Sequence, residues 1–313
     1  MSAGTKDTER ILVIKLGALG DVVQATGPFA AIRAHHPDAH ITLLTSPAYS
    51  DFLSASDWFD EIWVDERPNW KNIWGWYRLR FRLRYGRFDR AYDLQTSDRS
   101  SLYYQIMLPG RRPAWSGIAR GAALRHKNPN RDRMHTIDRQ IDQLAVAGID
   151  QVPAPSLDWV QADTARFGFT GPYVLLVPGG SAHRPEKRWP VGSFTDLARR
   201  LAVRGVTPVL IGAGADAHAT GTIASFCAQA VDLTSDTSFA EIAALARGAA
   251  GAVGNDTGPM HVITTAGCPS VALYSFASDP ALCAQKGADV TILRRDLLTE
   301  VSVDEVEAAL KLD

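Results

Sequence analysis

Residues 11–35 read ILVIKLGALGDVVQATGPFAAIRAH and combine a strand, a glycine turn and a helix. Residues 11–15 form a short apolar run that is typical of a strand buried on both faces. Gly17 and Gly20 permit a tight turn, and a helical pattern begins at Asp21 and continues to residue 35. A strand, a turn and a helix in this order form the repeating unit of a parallel α/β sheet.

The same alternation continues through both halves of the chain. In the first half, further strands are predicted at residues 41–45, 61–64 and 91–95, and further helices at 70–84, 100–107 and 133–147. Residues 148–172, which are rich in proline and glycine, are predicted to be a linker. The second half has predicted strands at 173–177, 208–211, 251–254 and 271–274, and helices at 189–204, 238–246 and 260–266. We therefore predict an α/β protein of two Rossmann-like domains, residues 1–155 and 156–313.

The composition excludes several classes of protein. The 313 residues include 33 basic and 34 acidic side chains, so the net charge does not favour nucleic acid. The three cysteines share no CxxC spacing, which argues against a disulfide framework or a structural zinc site and fits a reducing compartment. Residues 11–16 are too short an apolar run for a signal peptide, and glycines and prolines interrupt the uncharged stretch 257–278. We expect a cytoplasmic protein.

Asp21 follows the first glycine turn and has two interpretations. As a helix N-cap it would stabilise the helix by about 1 kcal/mol and have no other role. As a carboxylate at the carboxyl end of a strand, it would lie where α/β sheets bind ligands. The turn lacks a complete GxGxxG pattern, which counts against an ordinary dinucleotide site.

A second glycine loop, VPGGSAHRPEKRWP, occupies residues 177–190 after a predicted strand. Residues 179–181 can present backbone N–H groups to an anion. Lys187 and Arg188 place positive charge beside the N-terminus of the next helix, so the loop favours a diphosphate. The alternative is an exposed basic loop with no ligand.

A third motif, GNDTGPMH, spans residues 254–261 at the end of a strand and the start of a helix. The N–H groups of Thr257 and Gly258 can point at a phosphate, assisted by the helix dipole. Asp256 would repel a phosphate and is better suited to sugar hydroxyls. His261, one turn into the helix, is typical of a structural histidine, and a capped helix without a ligand is the alternative for the whole motif.

Residues 67–90 combine eight basic side chains and seven aromatic ones with a single acid, Asp89. Such a stretch suits a membrane surface or a large anionic lipid acceptor. The alternative is a helix that packs through its aromatic rings and exposes its arginines to water. Nucleic acid is a third possibility, which the rest of the chain does not support. DxD, HExxH, Walker A and GxSxG patterns are absent, so metal-dependent and acyl-serine mechanisms are unsupported.

In this order, the motifs resemble the heptosyltransferases of lipopolysaccharide core synthesis, glycosyltransferase family 9. The resemblance extends from about residue 10 to residue 310, and its matching stretches are 11–33, 87–101, 178–190 and 251–275. It implies a GT-B fold, in which two Rossmann-like domains with parallel sheets face each other across a cleft. It also implies heptose transfer from ADP-heptose to Kdo or heptose of the inner core, with inversion and with no metal or other cofactor.

The resemblance also implies roles for particular residues. Asp21 matches the catalytic base, and the first domain would bind the acceptor while the second binds the donor. The donor-binding residues would be Ser181, His183, Lys187, Asp216, Asp256, Thr257, Gly258 and His261. The acceptor-binding residues would be Gly20, Arg78, Arg82 and Gln95.

Two departures from the family pattern bear on the donor. Asp216 stands near the place where relatives often carry a ribose-binding glutamate, and Ala182 and His183 stand near that of a threonine pair. The expected partners are an ADP-activated sugar and a lipid A–Kdo or core oligosaccharide acceptor, with peripheral contact at the cytoplasmic face of the inner membrane and no nucleic acid.

Two other functions remain open. A GT-B transferase or epimerase could use another nucleotide sugar, and an epimerase would turn over without any acceptor. A non-catalytic nucleotide- or lipopolysaccharide-binding protein would bind ADP but form no product.

Overall fold

The computed structural model describes residues 8–181 and 183–312 of the chain. The chain divides into two compact units, of which the first ends at Pro155 and the second begins at Ser156. Each unit contains a six-stranded sheet whose paired strands are all parallel. The predicted α/β class with two parallel sheets is confirmed.

The first unit alternates strands and helices. Its strands are β1 (Arg10–Ile14), β2 (His40–Thr45), β3 (Glu61–Val64), β4 (Arg90–Asp93), β5 (Ala114–Gly117) and β6 (Leu124–Arg125). Its helices are α1 (Leu19–Gln24), α2 (Thr26–His35), α3 (Pro47–Ser54), α4 (Ile73–Tyr85), α5 (Asp98–Ile106) and α6 (Thr136–Val146). A 3₁₀ turn at Arg131–Arg133 precedes α6.

The second unit repeats this plan. Its strands are β7 (Tyr173–Val177), β8 (Thr207–Leu210), β9 (Val231–Asp232), β10 (Gly251–Asn255), β11 (Ser270–Tyr274) and β12 (Val290–Arg294). Its helices are α7 (Val191–Val203), α8 (Ala217–Phe226), α9 (Phe239–Gly248), α10 (Gly258–Thr265), α11 (Pro280–Cys283) and α12 (Val303–Leu310). Short 3₁₀ turns lie at Ala165–Phe167, Pro185–Lys187, Gly214–Asp216 and Leu298–Glu300.

The order of strands places a ligand crevice in each sheet. The orders are β3-β2-β1-β4-β5-β6 and β12-β11-β10-β7-β8-β9. The first strand of each unit thus has its next strand on one side and a later strand on the other. Open α/β sheets bind ligands at this reversal, outside the carboxyl ends of the strands. The loops that follow β1, β4, β7, β8 and β10 are therefore the candidate ligand loops.

The helix predicted over residues 21–35 is two helices, α1 and α2. The physical reason is Pro28, which has no N–H to donate to the carbonyl four residues earlier. The loop after β7 also differs from the prediction, because it forms the 3₁₀ turn at Pro185–Lys187 before α7 begins. No helix of the described residues combines the length and the apolar character needed to cross a membrane.

Asn255, the last residue of β10, is fully buried and joins three segments of the second unit. Its Nδ2 group donates to the carbonyls of Pro178 and Gly179, each at 2.9 Å. Its Oδ1 atom accepts from the backbone N–H of Trp189 at 2.9 Å. Since buried polar groups must be paired, this amide fixes both ends of the glycine loop to the end of β10.

We predict that Asn255→Ala lowers the free energy of unfolding by about 2–4 kcal/mol, since it leaves a buried N–H and two carbonyls without partners. Urea unfolding of the full chain, followed by tryptophan fluorescence, measures this loss. The exposed Asn130→Ala control should change stability by about 0.5 kcal/mol or less. A loss below about 1 kcal/mol for Asn255→Ala would contradict the assignment.

Candidate active site

A cavity of about 340 Å³ lies at the strand reversal of the second unit. It is formed by the loops that follow β7, β8 and β10. Its lining consists of Val177, Gly179, Gly180, Ser181, Gly212, Ala213, Asp216, Asp256, Thr257, Gly258 and Pro259. Five of the eight predicted donor-binding residues are therefore brought together in one cavity by three loops distant in sequence.

Lys187 joins this group through an ion pair. Its ammonium lies 2.8 Å from Oδ2 of Asp256 and 3.1 Å from Oγ of Ser278. Ser278 also donates to Asp256, at 2.5 Å. Both members of the ion pair are largely shielded from water. Because screening by water is weak there, the ammonium is held firmly in one position.

The other oxygen of Asp256 is also bound by the chain. Tyr274 donates to Oδ1 at 3.1 Å and Gln285 at 3.4 Å. Burial raises the pKa of the Asp256 carboxyl, but hydrogen bonds from Lys187 and Ser278 outweigh burial, so the pKa lies below its usual value. Asp256 is thus ionised and anchors Lys187. This role is compatible with a phosphate in the cavity, because Asp256 would contact the lysine and not the phosphate.

The N-terminus of α10 closes one side of the cavity. Thr257 is the N-cap residue, and within the described residues its buried Oγ1 has no hydrogen-bond partner. Gly258 opens the helix, so the first N–H groups of α10 border the cavity. A Cβ atom at Gly254 would lie 2.7 Å from Met260 and from Val177, so glycine is required for the close contact of β10 with α10. The N–H groups at the start of α10 and the Thr257 hydroxyl together suit an anion.

Two charged side chains brace the glycine loop. The Asp216 carboxylate accepts from the backbone N–H of Ala213 at 3.0 Å and of Gly180 at 3.4 Å. Arg188 donates to the carbonyl of Gly180 at 2.6 Å. In this structure the Gly180 N–H is thus bound by Asp216 and the Arg188 guanidinium by the Gly180 carbonyl, so an anion at this loop would compete with these contacts. The free lone pairs of Asp216 suit hydroxyl donors instead.

The remaining predicted donor residues lie in different places. Ser181 lines the cavity and is exposed, and His183 is exposed but does not line it. Ala182 lies outside the described residues. His261 is buried in α10, where its proximity contributes to lowering the pKa of Asp256.

Asp21 lies in the first unit, after β1. It is the third residue of α1 and its Oδ2 accepts from the N–H of Ala18, the true N-cap, at 3.2 Å. Gly20 is buried in the same turn. Gly17 has a φ of 126°, and a Cβ there would lie 2.9 Å from the ring of Tyr49, so the turn requires glycine. Asp21 is therefore not the N-cap residue itself, but it caps the helix from its third position.

Sequence reasoning missed two buried ionisable residues in the first unit, Lys15 and Asp93, of which Lys15 interacts electrostatically with Asp21. The Lys15 ammonium donates to the carbonyl of Leu94 at 3.1 Å, and burial lowers its pKa while Asp21 and Asp93 act in the opposite direction. Asp93 ends β4, and burial raises its pKa to about 6 against hydrogen bonds from Thr96, Ser100 and Gln95. Each of these two residues is a charged side chain at the carboxyl end of an apolar strand, and this pattern could have identified both from the sequence.

The predicted acceptor residues are partly committed to the fold. Gln95 Oε1 accepts from the N–H of Leu16 at 2.8 Å and so supports the glycine turn. Arg82 donates to the carbonyl of Val64 at 3.2 Å and lies over the Trp63 ring. Both it and the exposed Arg78 line a second cavity of about 220 Å³, between the end of β3 and α4.

The sequence profile of glycosyltransferase family 9 (heptosyltransferase) matches residues 76–309. The chain belongs to glycosyltransferase family 9. This membership confirms the resemblance found in the sequence. It also shows that the protein is an enzyme, a glycosyltransferase.

Individual relatives agree. Lipopolysaccharide heptosyltransferase 2 of Salmonella typhimurium is 26% identical over 292 residues, which cover 86% of this chain and 83% of the relative. The structure of E. coli ADP-heptose LPS heptosyltransferase II has a TM-score of 0.79 and 23% identity, and covers 96% of this chain and 98% of that one. E. coli heptosyltransferase WaaC with ADP has a TM-score of 0.75 and 19% identity, with the same coverage. The predicted fold class is confirmed.

We predict that Asp93 makes the stability of the enzyme depend on pH between about 4 and about 6. Because its folded pKa, about 6, exceeds the unfolded value of about 3.9, the folded state holds the proton to higher pH. This group therefore lowers the free energy of unfolding as pH rises through that window, by roughly 3 kcal/mol at most.

The variant Asp93→Asn should remove this part of the dependence, which urea unfolding at several pH values measures. The exposed Asp98→Asn control in α5 should retain the wild-type dependence. An unchanged curve for Asp93→Asn would disprove the assignment.

Proposed function

We propose that this family 9 glycosyltransferase moves heptose from ADP-heptose to an inner-core saccharide of lipopolysaccharide, with inversion at the anomeric carbon and without a metal ion. Membership of the family and the names of its relatives support the sugar and the pathway. The observation that carries the proposal is the Lys187 ammonium, held by Asp256 beside a cavity formed by a glycine loop and a helix N-terminus.

The cavity has the chemistry that a nucleoside diphosphate sugar needs. The first N–H groups of α10 and the unpartnered Thr257 hydroxyl are donors for phosphate oxygens. Asp216 provides acceptor lone pairs for ribose hydroxyls. The E. coli relative solved with ADP is consistent with this nucleotide.

The departing ADP gains negative charge when the bond between the anomeric carbon and the β-phosphate oxygen breaks. Fixed donors stabilise such a charge at little cost, because they do not reorganise during the reaction. Lys187 is the cation in place for this task, and it would exchange part of its contact with Asp256 for the diphosphate. We propose that this cation and the α10 donors replace a metal ion.

Asp21 would act as the general base. As the acceptor hydroxyl oxygen forms its bond to the anomeric carbon, its proton passes to the Asp21 carboxylate, and the ADP leaving group departs with the electron pair of the broken bond. Asp21 is suitable because it lies at the carboxyl end of β1, on a turn fixed by Gly17 and Gln95. Attack from the face opposite ADP gives inversion.

The acceptor would be a lipid A–Kdo or core oligosaccharide, bound by the first unit. Arg78 and Arg82 line a cavity of about 220 Å³ together with Asp65 and Glu66, and the two guanidinium groups would bind carboxylates or phosphates of the acceptor. Such an acceptor is carried on a lipid, so we propose that the enzyme works at the cytoplasmic face of the inner membrane.

The test is release of ADP from ADP-heptose, measured with and without a heptose-deficient lipid A–Kdo acceptor. The proposal expects release only when the acceptor is present, with a heptosylated product of inverted configuration. Turnover without acceptor would indicate an epimerase or another reaction, and ADP binding with no product would indicate a binding protein.

We predict that Asp21→Asn lowers the rate of transfer by at least about a hundredfold but leaves ADP affinity within about twofold, because it removes the base and not the donor site. Steady-state rates and calorimetric titration with ADP measure the two effects. Asp138→Asn is the matched control, since Asp138 is also the third residue of a helix and is exposed. Normal transfer by Asp21→Asn would refute its role.

A further inference from the structure

Helix α4 has two apolar faces on opposite sides. Leu79 and Leu83 are buried and pack into the core of the first unit. Trp74, Tyr77, Phe81 and Tyr85 form a second set, called here the aromatic stripe. At 3.6 residues per turn the stripe spans about 80° of the helix surface, and its centre lies about 180° from Leu79 and Leu83.

The aromatic stripe is open to solvent. The exposed fractions are 77% for Trp74, 56% for Tyr77, 46% for Phe81 and 67% for Tyr85. At the start of the helix, Trp70 and Ile73 extend the apolar surface and are also exposed. Single exposed apolar residues are common, but a contiguous patch of this kind marks a surface of interaction.

The rings of the stripe are ordered against one another. Phe81 and Tyr85 stack with a centroid distance of 3.9 Å. Tyr77 lies 6.5 Å from Phe81, and Trp74 lies 6.3 Å from Tyr77. Arg80 ties the helix to the end of α5 by donating to the carbonyls of Ile106 and Leu108, each at 2.7 Å. The stripe is therefore a continuous row of rings, about 17 Å long, on a fixed helix.

Within α4 and the turn that follows it, residues 73–87, the charged side chains at the borders of the stripe are all basic. Arg84 and Arg87 lie on one side and Arg78 on the other, and all three are exposed. A groove of about 400 Å³ is lined by Tyr77, Arg80, Phe81, Arg84, Tyr85 and Arg87. The single acid of residues 67–90, Asp89, is paired with Arg111 at 2.7 Å. The stripe is thus an apolar row with cationic margins.

We infer that the aromatic stripe docks the enzyme on an anionic phospholipid surface. Tryptophan and tyrosine rings are favoured at the level of lipid headgroups, where an apolar ring and a polar atom are both satisfied. Arginines at the margins would bind headgroup phosphates while their stems cover the rings. Since every charged side chain of residues 73–87 is basic, the helix that carries the stripe is complementary to an anionic surface.

The inference rests on the proposed function in one respect: an acceptor carried on a lipid would bring the enzyme to a membrane. Binding to lipid itself needs neither donor nor acceptor. Sedimentation with vesicles of phosphatidylethanolamine and phosphatidylglycerol therefore tests the stripe independently, with vesicles of phosphatidylcholine as the neutral comparison.

We expect the full-length protein to bind the anionic vesicles, and to bind the neutral vesicles at least about tenfold more weakly. The double variant Trp74→Ser/Phe81→Ser should weaken binding to anionic vesicles by about tenfold or more, because it removes two inserted rings. The double variant Arg84→Glu/Arg87→Glu should do the same, and added salt should weaken wild-type binding. All the substituted side chains are exposed, so the fold should be retained.

A matched control comes from the second unit, where Val203 and Phe226 are also exposed apolar residues, at 89% and 59%. Val203→Ser/Phe226→Ser should bind vesicles as the wild type does. Equal losses in this control and in Trp74→Ser/Phe81→Ser would overturn the inference. So would self-association in sedimentation velocity that Trp74→Ser/Phe81→Ser abolishes, because the stripe would then join two copies of the chain.

Transfer to a water-soluble, deacylated acceptor separates this inference from the proposed function. Trp74→Ser/Phe81→Ser should transfer to that acceptor at the wild-type rate while it fails to bind vesicles. If this variant transfers normally and still binds anionic vesicles as the wild type does, the lipid-binding role of the stripe is rejected and the proposed function stands. If vesicle binding depends on the stripe but the wild type shows no transfer, the proposed function is rejected and the lipid-binding role of the stripe stands.

Discussion

The amide of Asn255 is the constraint on which the proposed donor site depends. It is buried at the end of β10, and its three hydrogen bonds reach the first carbonyls of the glycine loop and the N–H of Trp189 at the loop's far end. The Trp189 side chain then anchors the loop in the core of the second unit, where its indole donates to the carbonyl of Val301. The loop that carries Lys187 is therefore held at both ends before any ligand arrives, which is the preorganisation that electrostatic catalysis requires.

Electrostatic interactions also hold the Lys187 side chain in place. An isolated lysine ammonium in a shielded site would be costly, but Asp256 neutralises it, and Ser278 and Tyr274 complete the shell of the carboxylate. The ion pair is net neutral, so it can hold the Lys187 side chain in place without a ligand. Under the proposed function, an arriving diphosphate would offer Lys187 a more highly charged partner, and the N-terminus of α10 would add donors for the same group.

Much of the fold could be predicted, because strands buried on both faces are marked by apolar runs, as in β7, which follows Gly171 and Pro172 and has the predicted bounds. The partly exposed β3 also has the predicted bounds. The helices α3, α8, α11 and α12 and the strands β5, β6, β9 and β12 were missed, since most of these elements are short or half-exposed and have weak patterns. The position of the candidate site could be predicted where one motif carries it, as in the loop with Lys187. Its contact with Asp256 spans 69 positions, and Ser278 and Gln285 lie in no motif, so only the folded chain joins them.

The structure of the enzyme with ADP tests the central claim most directly. The account predicts diphosphate oxygens within about 3 Å of the Lys187 ammonium and of the first N–H groups of α10, with the Lys187–Asp256 contact lengthened from 2.8 Å. It also predicts that the glycine loop keeps its bonds to Asn255. A diphosphate bound elsewhere, with the ion pair intact, would contradict the assignment of this cavity as the donor site.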